Sequence, residues 1–399
     1  MSKHFAFVVP PAHGHVNPTL PLVEELVARG HRVTYVTGAD LMPTAAAAGA
    51  TPLEMRWEFP RPSQDDGKPF KFTIEAFGAM LLGFQEQAEL SYPSLVAHFQ
   101  RDRPDAVCFD MMGTLGPLIA DKLGVPMVTL LPSMASNEHF DMRTLLTPEG
   151  AEDDGGVGEV FAKVFEAQAK FRAANGLPAP TAPSPLAGPS APLNLVFVPR
   201  EFQVAGDTFD DRFRFLGPSM GSRADAGGWQ PPADGSPVLF VSLGTAFNDH
   251  PEFFAQCVEA FGDSPWHVVM AVGERVEIPP VPGNFTVAAY FPQPVVLASA
   301  TVFLSHTGMN STMESLYYGV PLVSVPQMPE QALNGGRAEE LGFGRRLDSE
   351  AITPELLRRT VDEVANDPVI RANVTKFGEQ LRAVDGPALG ADALEELLG

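Results

Sequence analysis

Ser305, His306, Thr307, Gly308, Met309, Asn310 and Ser311 follow directly on a short apolar run of buried-strand type, Thr301 to Leu304. From Asn310 the pattern turns helical: Met313, Leu316 and Tyr317 recur at i, i+3 and i+4, and Gly319 supplies the stop. A strand, a tight turn and a helix in that order gather unpaired backbone N–H groups and the positive end of a helix dipole at one point, where a phosphate anion can sit. His306 adds a side-chain donor there, and Ser311 a hydroxyl. Such turns recur throughout α/β proteins, so this one alone specifies no reaction. A second small-residue turn, Ser242-Leu243-Gly244-Thr245, ends another apolar run and permits close backbone approach. Near the start of the chain, His15 lies in the loop after the first apolar run. An imidazole titrates near neutrality and can accept a proton at cellular pH.

The company of the first turn narrows the chemistry. Tyr290-Phe291-Pro292-Gln293 precedes it, Glu314 ends its His-x-Gly-x-Asn-Ser-x-x-Glu run, and Gly319-Val320-Pro321, Glu330-Gln331 and Asn334 follow. Together these motifs resemble the C-terminal donor signature of the family 1 UDP-glycosyltransferases, particularly the bacterial macrolide glycosyltransferases, and the resemblance extends to most of the chain. It implies an α/β chain of GT-B fold: two Rossmann-like domains facing a central cleft, acceptor on the N-terminal one and donor on the C-terminal one. The reaction it implies is attack of an acceptor hydroxyl on the anomeric carbon of a nucleoside-diphosphate sugar. That needs a base, stabilisation of the departing diphosphate and a grip on nucleoside and sugar.

By this resemblance His15, in Gly14-His15-x-Asn17-Pro18, is the base, and Asp110, at the end of a neighbouring strand, orients it and stabilises the imidazolium. Ser242, Gly244 and Thr245, with His306, Thr307, Gly308, Asn310 and Ser311, surround the diphosphate. Glu314 takes the ribose hydroxyls, Tyr290 stacks on uracil with Phe291 next in its motif, and Gln293 bonds the nucleoside. Glu330 and Gln331 resemble the pair that grips the transferred sugar. Tyr290 stands where many relatives carry tryptophan, and Glu330 is one methylene longer than the commoner aspartate. His13 and His15 are too few for a metal site and no Asp-x-Asp element suits a divalent ion, so neither metal nor cofactor is expected; the nucleotide sugar is a co-substrate.

The expectation is an inverting, metal-independent transfer of glucose from UDP-glucose to a hydroxyl of an apolar, macrolide-like natural product. One alternative is a TDP-deoxysugar-dependent transferase of antibiotic biosynthesis. Relatives of that kind tend to carry two adjacent histidines at the diphosphate turn, whereas here Ser305 precedes His306. Another, from a different class, is a sugar-nucleotide epimerase. A Rossmann oxidoreductase is disfavoured because the first turn lacks Gly-x-Gly-x-x-Gly.

Elements must hold these residues in place, and 399 residues suit two domains. Hydrophobic residues make up 45% and formal net charge is −22, which argues against nucleic acid or an anionic membrane surface as partner. Only Cys108 and Cys257 are present, so a reducing, cytoplasmic setting is expected, with no disulfide framework. No run approaches a membrane span and none reads as a signal peptide. The expected partners are the nucleotide-sugar donor and an apolar small molecule, in a monomer or homodimer.

The pattern predicts strands at 5–10, 31–36, 52–55, 105–110, 125–131, 194–199 and 213–216, alternating with helices in an N-terminal domain of residues 1–216. Within it, Asn17 and Pro18 read as the cap and first residue of a helix, and the helix from Phe72 to Phe99 is expected to divide near Pro93. Residues 57–69 read as a polar loop, and Leu177 to Pro192 as a Pro-, Ala- and Ser-rich stretch. A linker of residues 217–235 leads to a second alternating series, residues 236–380, with Thr353-Pro354 and Asp367-Pro368 each starting a helix. The end, residues 381–399, is expected by resemblance to cross back to the first domain.

Overall fold

A computed structural model describes residues 1–57, 73–142, 157–180, 191–225, 227–245, 248–274, 276 and 280–399. The chain forms two compact units, one taking its described residues from Met1 to Gly217 and from Asp385 to Gly399, the other from Pro218 to Val384. The loop read at 57–69 and most of the Pro-rich stretch read at 177–192 fall outside the described residues.

In the first unit the elements run β1 (His4–Val8), α1 (His13–Ala28), β2 (Arg32–Thr37), α2 (Met42–Ala47), β3 (Thr51–Glu54), α3 (Ile74–Arg101), β4 (Ala106–Asp110), α4 (Leu115–Leu123), β5 (Met127–Leu131), α5 (Val157–Ala174), β6 (Leu193–Val196) and β7 (Phe213–Phe215). All seven strands are parallel, in the order β3-β2-β1-β4-β5-β6-β7. β1 and β4 are buried throughout because helices cover both faces of a parallel sheet. Alternate residues face opposite ways: Phe5, Phe7 and Cys108 pack with α1, whereas Ala6, Val8 and Phe109 pack with α3 and α4.

Two expectations are corrected here. α1 begins at His13, because the amides of His15 and Val16 already close a turn on the Ala12 carbonyl; Asn17 and Pro18 lie inside the helix. His15 therefore sits in a first helical turn and not in a loop. α3 runs 28 residues through Pro93 without a break. Tyr92, Leu95, Val96 and Phe99 are buried around that proline. Their burial outweighs the roughly 3 kcal/mol that an interior proline costs a helix.

The last helix, α12 (Gly386–Leu398), packs on α1 in this unit, after β8 to β13 and α6 to α11 have been completed in the other. Ala391, Ala393 and Leu394 join Leu22, Leu26 and Leu216 in one core. Its approach is close enough that a Cβ on Gly386 would lie 2.4 Å from the Leu216 carbonyl oxygen. Arg29 ties the two helices by bonding Asp392 and Glu395.

The second unit repeats the scheme with β8 (Val238–Ser242), α6 (Pro251–Phe261), β9 (His267–Ala271), β10 (Phe285–Ala288), α7 (Gln293–Leu297), β11 (Val302–Ser305), α8 (Met309–Tyr317), β12 (Leu322–Ser324), α9 (Pro329–Glu340), β13 (Gly344–Arg346), α10 (Pro354–Asn366) and α11 (Pro368–Arg382). Its strand order is β10-β9-β8-β11-β12-β13, again all parallel. Thr353 and Asp367 cap α10 and α11 through their side chains, each followed by proline. Part of the stretch read as a linker is structured: Gly221–Asp225 forms a short 3-10 turn.

Because α12 completes the core of the first unit, Leu394→Ala is expected to lower the stability of that unit by about 2–5 kcal/mol. The check is urea unfolding followed by intrinsic fluorescence, with each transition fitted separately. A loss well under 1 kcal/mol would mean that the helix is not integral to that core.

Candidate active site

In both sheets the strand order reverses direction at the pair first strand and fourth strand, β1 beside β4 and β8 beside β11. Successive helices leave such a pair on opposite faces, which opens a crevice beyond the strand ends. His15 and Asp110 in the first unit, and the turns after Ser242 and Ser305 in the second, start at these strand ends.

In the first unit His15 comes from the turn after β1, and Asp110 is the last residue of β4. His15 Nδ1 stands 2.8 Å from Asp110 Oδ2. Asp110 is fully buried, and its Oδ1 accepts the Met112 amide at 2.8 Å. A carboxylate only accepts, so this pairing assigns the hydrogen to Nδ1 and leaves Nε2 as the basic nitrogen of a neutral ring. His15 is 29% exposed, open enough for a substrate to reach. His13, two residues earlier, is exposed. Among the described residues no group of three His, Cys, Asp or Glu is placed to hold a metal ion.

In the second unit Ser242 and Ser305 are register partners at the ends of β8 and β11, so the turns after them start side by side. Thr307 adopts φ 58°, a left-handed conformation rare for a β-branched residue. Its surroundings hold it there. Its amide donates to Ser305 Oγ, its hydroxyl meets Ser324 Oγ and the Gln331 carbonyl, and its own carbonyl accepts from Asn334 Nδ2. The strained turn delivers Gly308 as the cap of α8, and a glycine has no side chain to occupy the first-turn amides.

The His306 ring fits between two glycines. A Cβ on either Gly244 or Gly308 would fall 2.6 Å from its Nε2. Burial pushes the imidazole down to about 4, with the Ser242 backbone acting weakly the other way, so near neutrality it is an uncharged donor. Its Nδ1 is buried without a hydrogen-bond partner, as is Asn334 Oδ1.

Glu314, only 1% exposed, projects from α8. It accepts from Arg223 Nη2 and Gln293 Nε2, each at 2.7 Å, and from Asn310 Nδ2 at 3.2 Å. Gln293 also reaches Ser311 Oγ at 3.2 Å. Tyr290 is 68% exposed, a ring face open for stacking.

Other expected residues are placed differently. Phe291 is buried in the core at 7% exposure. Ser242 is buried and its hydroxyl accepts the Gly244 amide, while Thr245 is exposed. Gln331 turns inward, its Oε1 accepting the Gln327 amide at 2.7 Å, whereas Glu330 stays half-buried and bonds Asn334. Arg223 was not anticipated. It is the one basic residue between Gly217 and Gly235, and that lone cation in a Gly- and Pro-rich stretch was the available signal.

Residues 257–397 match the model of the erythromycin biosynthesis protein CIII-like C-terminal domain. Over its length the chain is similar to the NDP-glycosyltransferase YjiC of Bacillus licheniformis, 38% identical across 99% of this chain and 98% of the relative. It is similar also to the demethyllactenocin mycarosyltransferase of Streptomyces fradiae, 36% identical across 99% of this chain and 86% of the relative. Among solved structures, that of CalG4, the calicheamicin glycosyltransferase, matches with TM-score 0.81 at 32% identity, covering 100% of this chain and 99% of the other. The solved structures that match are GT-B glycosyltransferases, the fold class expected from the motifs.

The depressed affinity of His306 for protons has a consequence for stability. Between its folded value of about 4 and the ordinary 6.5, the unfolded chain binds the extra proton, so folding weakens as pH falls through that window. The melting temperature is expected to drop more steeply from pH 6.5 to 4.5 in the native chain than in His306→Asn. Parallel acid limbs would show that the ring titrates normally in the fold.

Proposed function

The chain belongs to the macrolide-type bacterial glycosyltransferases of family 1, and from that premise we propose that it transfers glucose from UDP-glucose to a hydroxyl of an apolar natural product with inversion at the anomeric carbon. The observation that carries this reading is the pair His15 Nδ1 to buried Asp110 Oδ2 at 2.8 Å. It gives His15 Nε2 the lone pair to take the acceptor's proton, and a fixed charge to balance the imidazolium that results. One in-line displacement then joins the acceptor oxygen to the anomeric carbon as the bond to the diphosphate breaks. The departing charge falls to the first-turn amides of α8 and to His306, which near neutrality donates without carrying charge. Glu314 takes the ribose hydroxyls, and Tyr290 stacks on the uracil. No residue of this scheme calls on a metal ion.

The mycarosyltransferase relative supports a second reading, in which the donor carries a deoxysugar, commonly as a TDP derivative. Gln331, turned inward onto the Gln327 amide, leaves Glu330 as the nearer candidate of that pair for sugar hydroxyls, which suits a sugar with fewer of them. Ser305 ahead of His306 supports UDP by resemblance.

His15→Ala should lower kcat by about 10²–10⁴-fold while UDP still binds. Retained turnover would remove the base assignment. A donor screen of UDP-glucose, UDP-galactose and TDP-glucose against macrolide and flavonoid acceptors, read by mass, decides the donor. The coupling of the anomeric proton in the product decides the stereochemistry, since α-linked UDP-glucose must give a β-glucoside if one displacement occurs.

A further inference from the structure

Glu314 presents an arithmetic problem to a ribose. A carboxylate offers about four acceptor directions, two on each oxygen. Arg223 Nη2 and Asn310 Nδ2 occupy Oε1, and Gln293 Nε2 occupies one direction on Oε2. One direction is left for a diol that has two hydroxyls to donate. Arg223 is itself well enclosed, its side chain 20% exposed, and its Nε is buried with no hydrogen-bond partner. It also lies close to the exposed Tyr290, whose phenol is raised by partial burial and by the Glu314 charge, with Arg223 opposing.

From this we infer that Arg223 is a positioning residue for the donor nucleotide: it neutralises Glu314 and keeps Oε1 occupied, so that ribose engages the acid through Oε2. The inference rests on the ribose role proposed for Glu314. A carboxylate this deeply buried must be compensated, and at Glu314 a cation, Arg223, does so from the 3-10 turn ahead of β8. The contact is made by Nη2 alone, so it balances the charge and occupies Oε1 while leaving Oε2 to Gln293. With Oε1 held, the open direction on Oε2 is the one beside Gln293, whose amide also reaches Ser311 at the start of α8. Nucleoside and diphosphate sites are thereby set in one register along α8.

The test is UDP binding by calorimetry, and donor KM and kcat, on the full chain carrying Arg223→Met, Arg223→Lys, Glu314→Gln or Arg223→Met with Glu314→Gln. Arg223→Met should weaken UDP binding about 10- to 100-fold, the value of one hydrogen bond to a charged group, and act on KM more than on kcat. Lysine should restore part of the loss. On the Glu314→Gln background, Arg223→Met should add nothing, because the charge it serves is gone. An equal loss on both backgrounds, or none on either, overturns the inference while a weakened Glu314→Gln keeps the ribose role. Unchanged UDP binding in Glu314→Gln instead overturns the ribose role and the inference with it. If Arg223→Met fails to fold, Arg223→Lys against the two backgrounds carries the same comparison, since the double variant leaves no unpaired buried charge.

Discussion

A carboxylate withdrawn from water must be met by donors, and each unit of this chain is arranged around one such group. Asp110 is fully buried and Glu314 nearly so. An ion in that position without partners is destabilising by several kcal/mol, so its donors are structural requirements before they are anything else. Asp110 takes the Met112 amide and His15; Glu314 takes Arg223, Gln293 and Asn310. The same bonds that compensate the charge fix the rotamers of the side chains that make them. A ring or amide held in this way is already oriented before any ligand arrives.

Sheet topology decides where these acids can stand. Both sheets place their first and fourth strands side by side, and in each unit a site residue ends one of the two. The backbone there has little freedom. Thr307 keeps a left-handed conformation because the hydroxyl, amide and carbonyl of the same residue are all bound by neighbours. Gly335 is part of that arrangement, since a Cβ there would stand 2.1 Å from Ser324 Oγ. Strain of this kind persists where surrounding bonds over-determine it, and it commonly marks a site that must hold one geometry.

The alternation of apolar runs with helical patterns made both α/β units legible, and Thr353 and Asp367 stood out as caps because proline follows each. Element boundaries were less so. The start of α1 could not be seen from Asn17 and Pro18, a strong local signal for a helix start, because the turn on Ala12 depends on how the chain leaves β1. Pro93 misled for the converse reason: burial around it is a tertiary fact. At the site, Gln293 and Glu314 came from two separate motifs, and their side chains are hydrogen-bonded. Arg223 lies 91 residues from its partner, and no local pattern connects the two. The inward turn of Gln331 was equally hidden, because it depends on the Gln327 amide four residues earlier coming within reach.

Net charge of −22 poses a last constraint on any reading that brings a diphosphate to this chain. The long-range field repels the ligand, and screening by salt reduces that repulsion beyond about 8–10 Å. What acts at contact is then the local set: helix-start amides at Gly308 and beyond, and an imidazole that near neutrality carries no charge. Dipoles in a fixed frame bind an anion without a cation's desolvation penalty, and their effect is confined to the first turn of the helix. Arg223, the basic side chain paired with Glu314, is already balanced by that acid. The turn after β11 can thus accept negative charge while the neighbourhood of Glu314 stays balanced, and it is the placement of backbone, fixed by Thr307 and two glycines, that keeps the two apart.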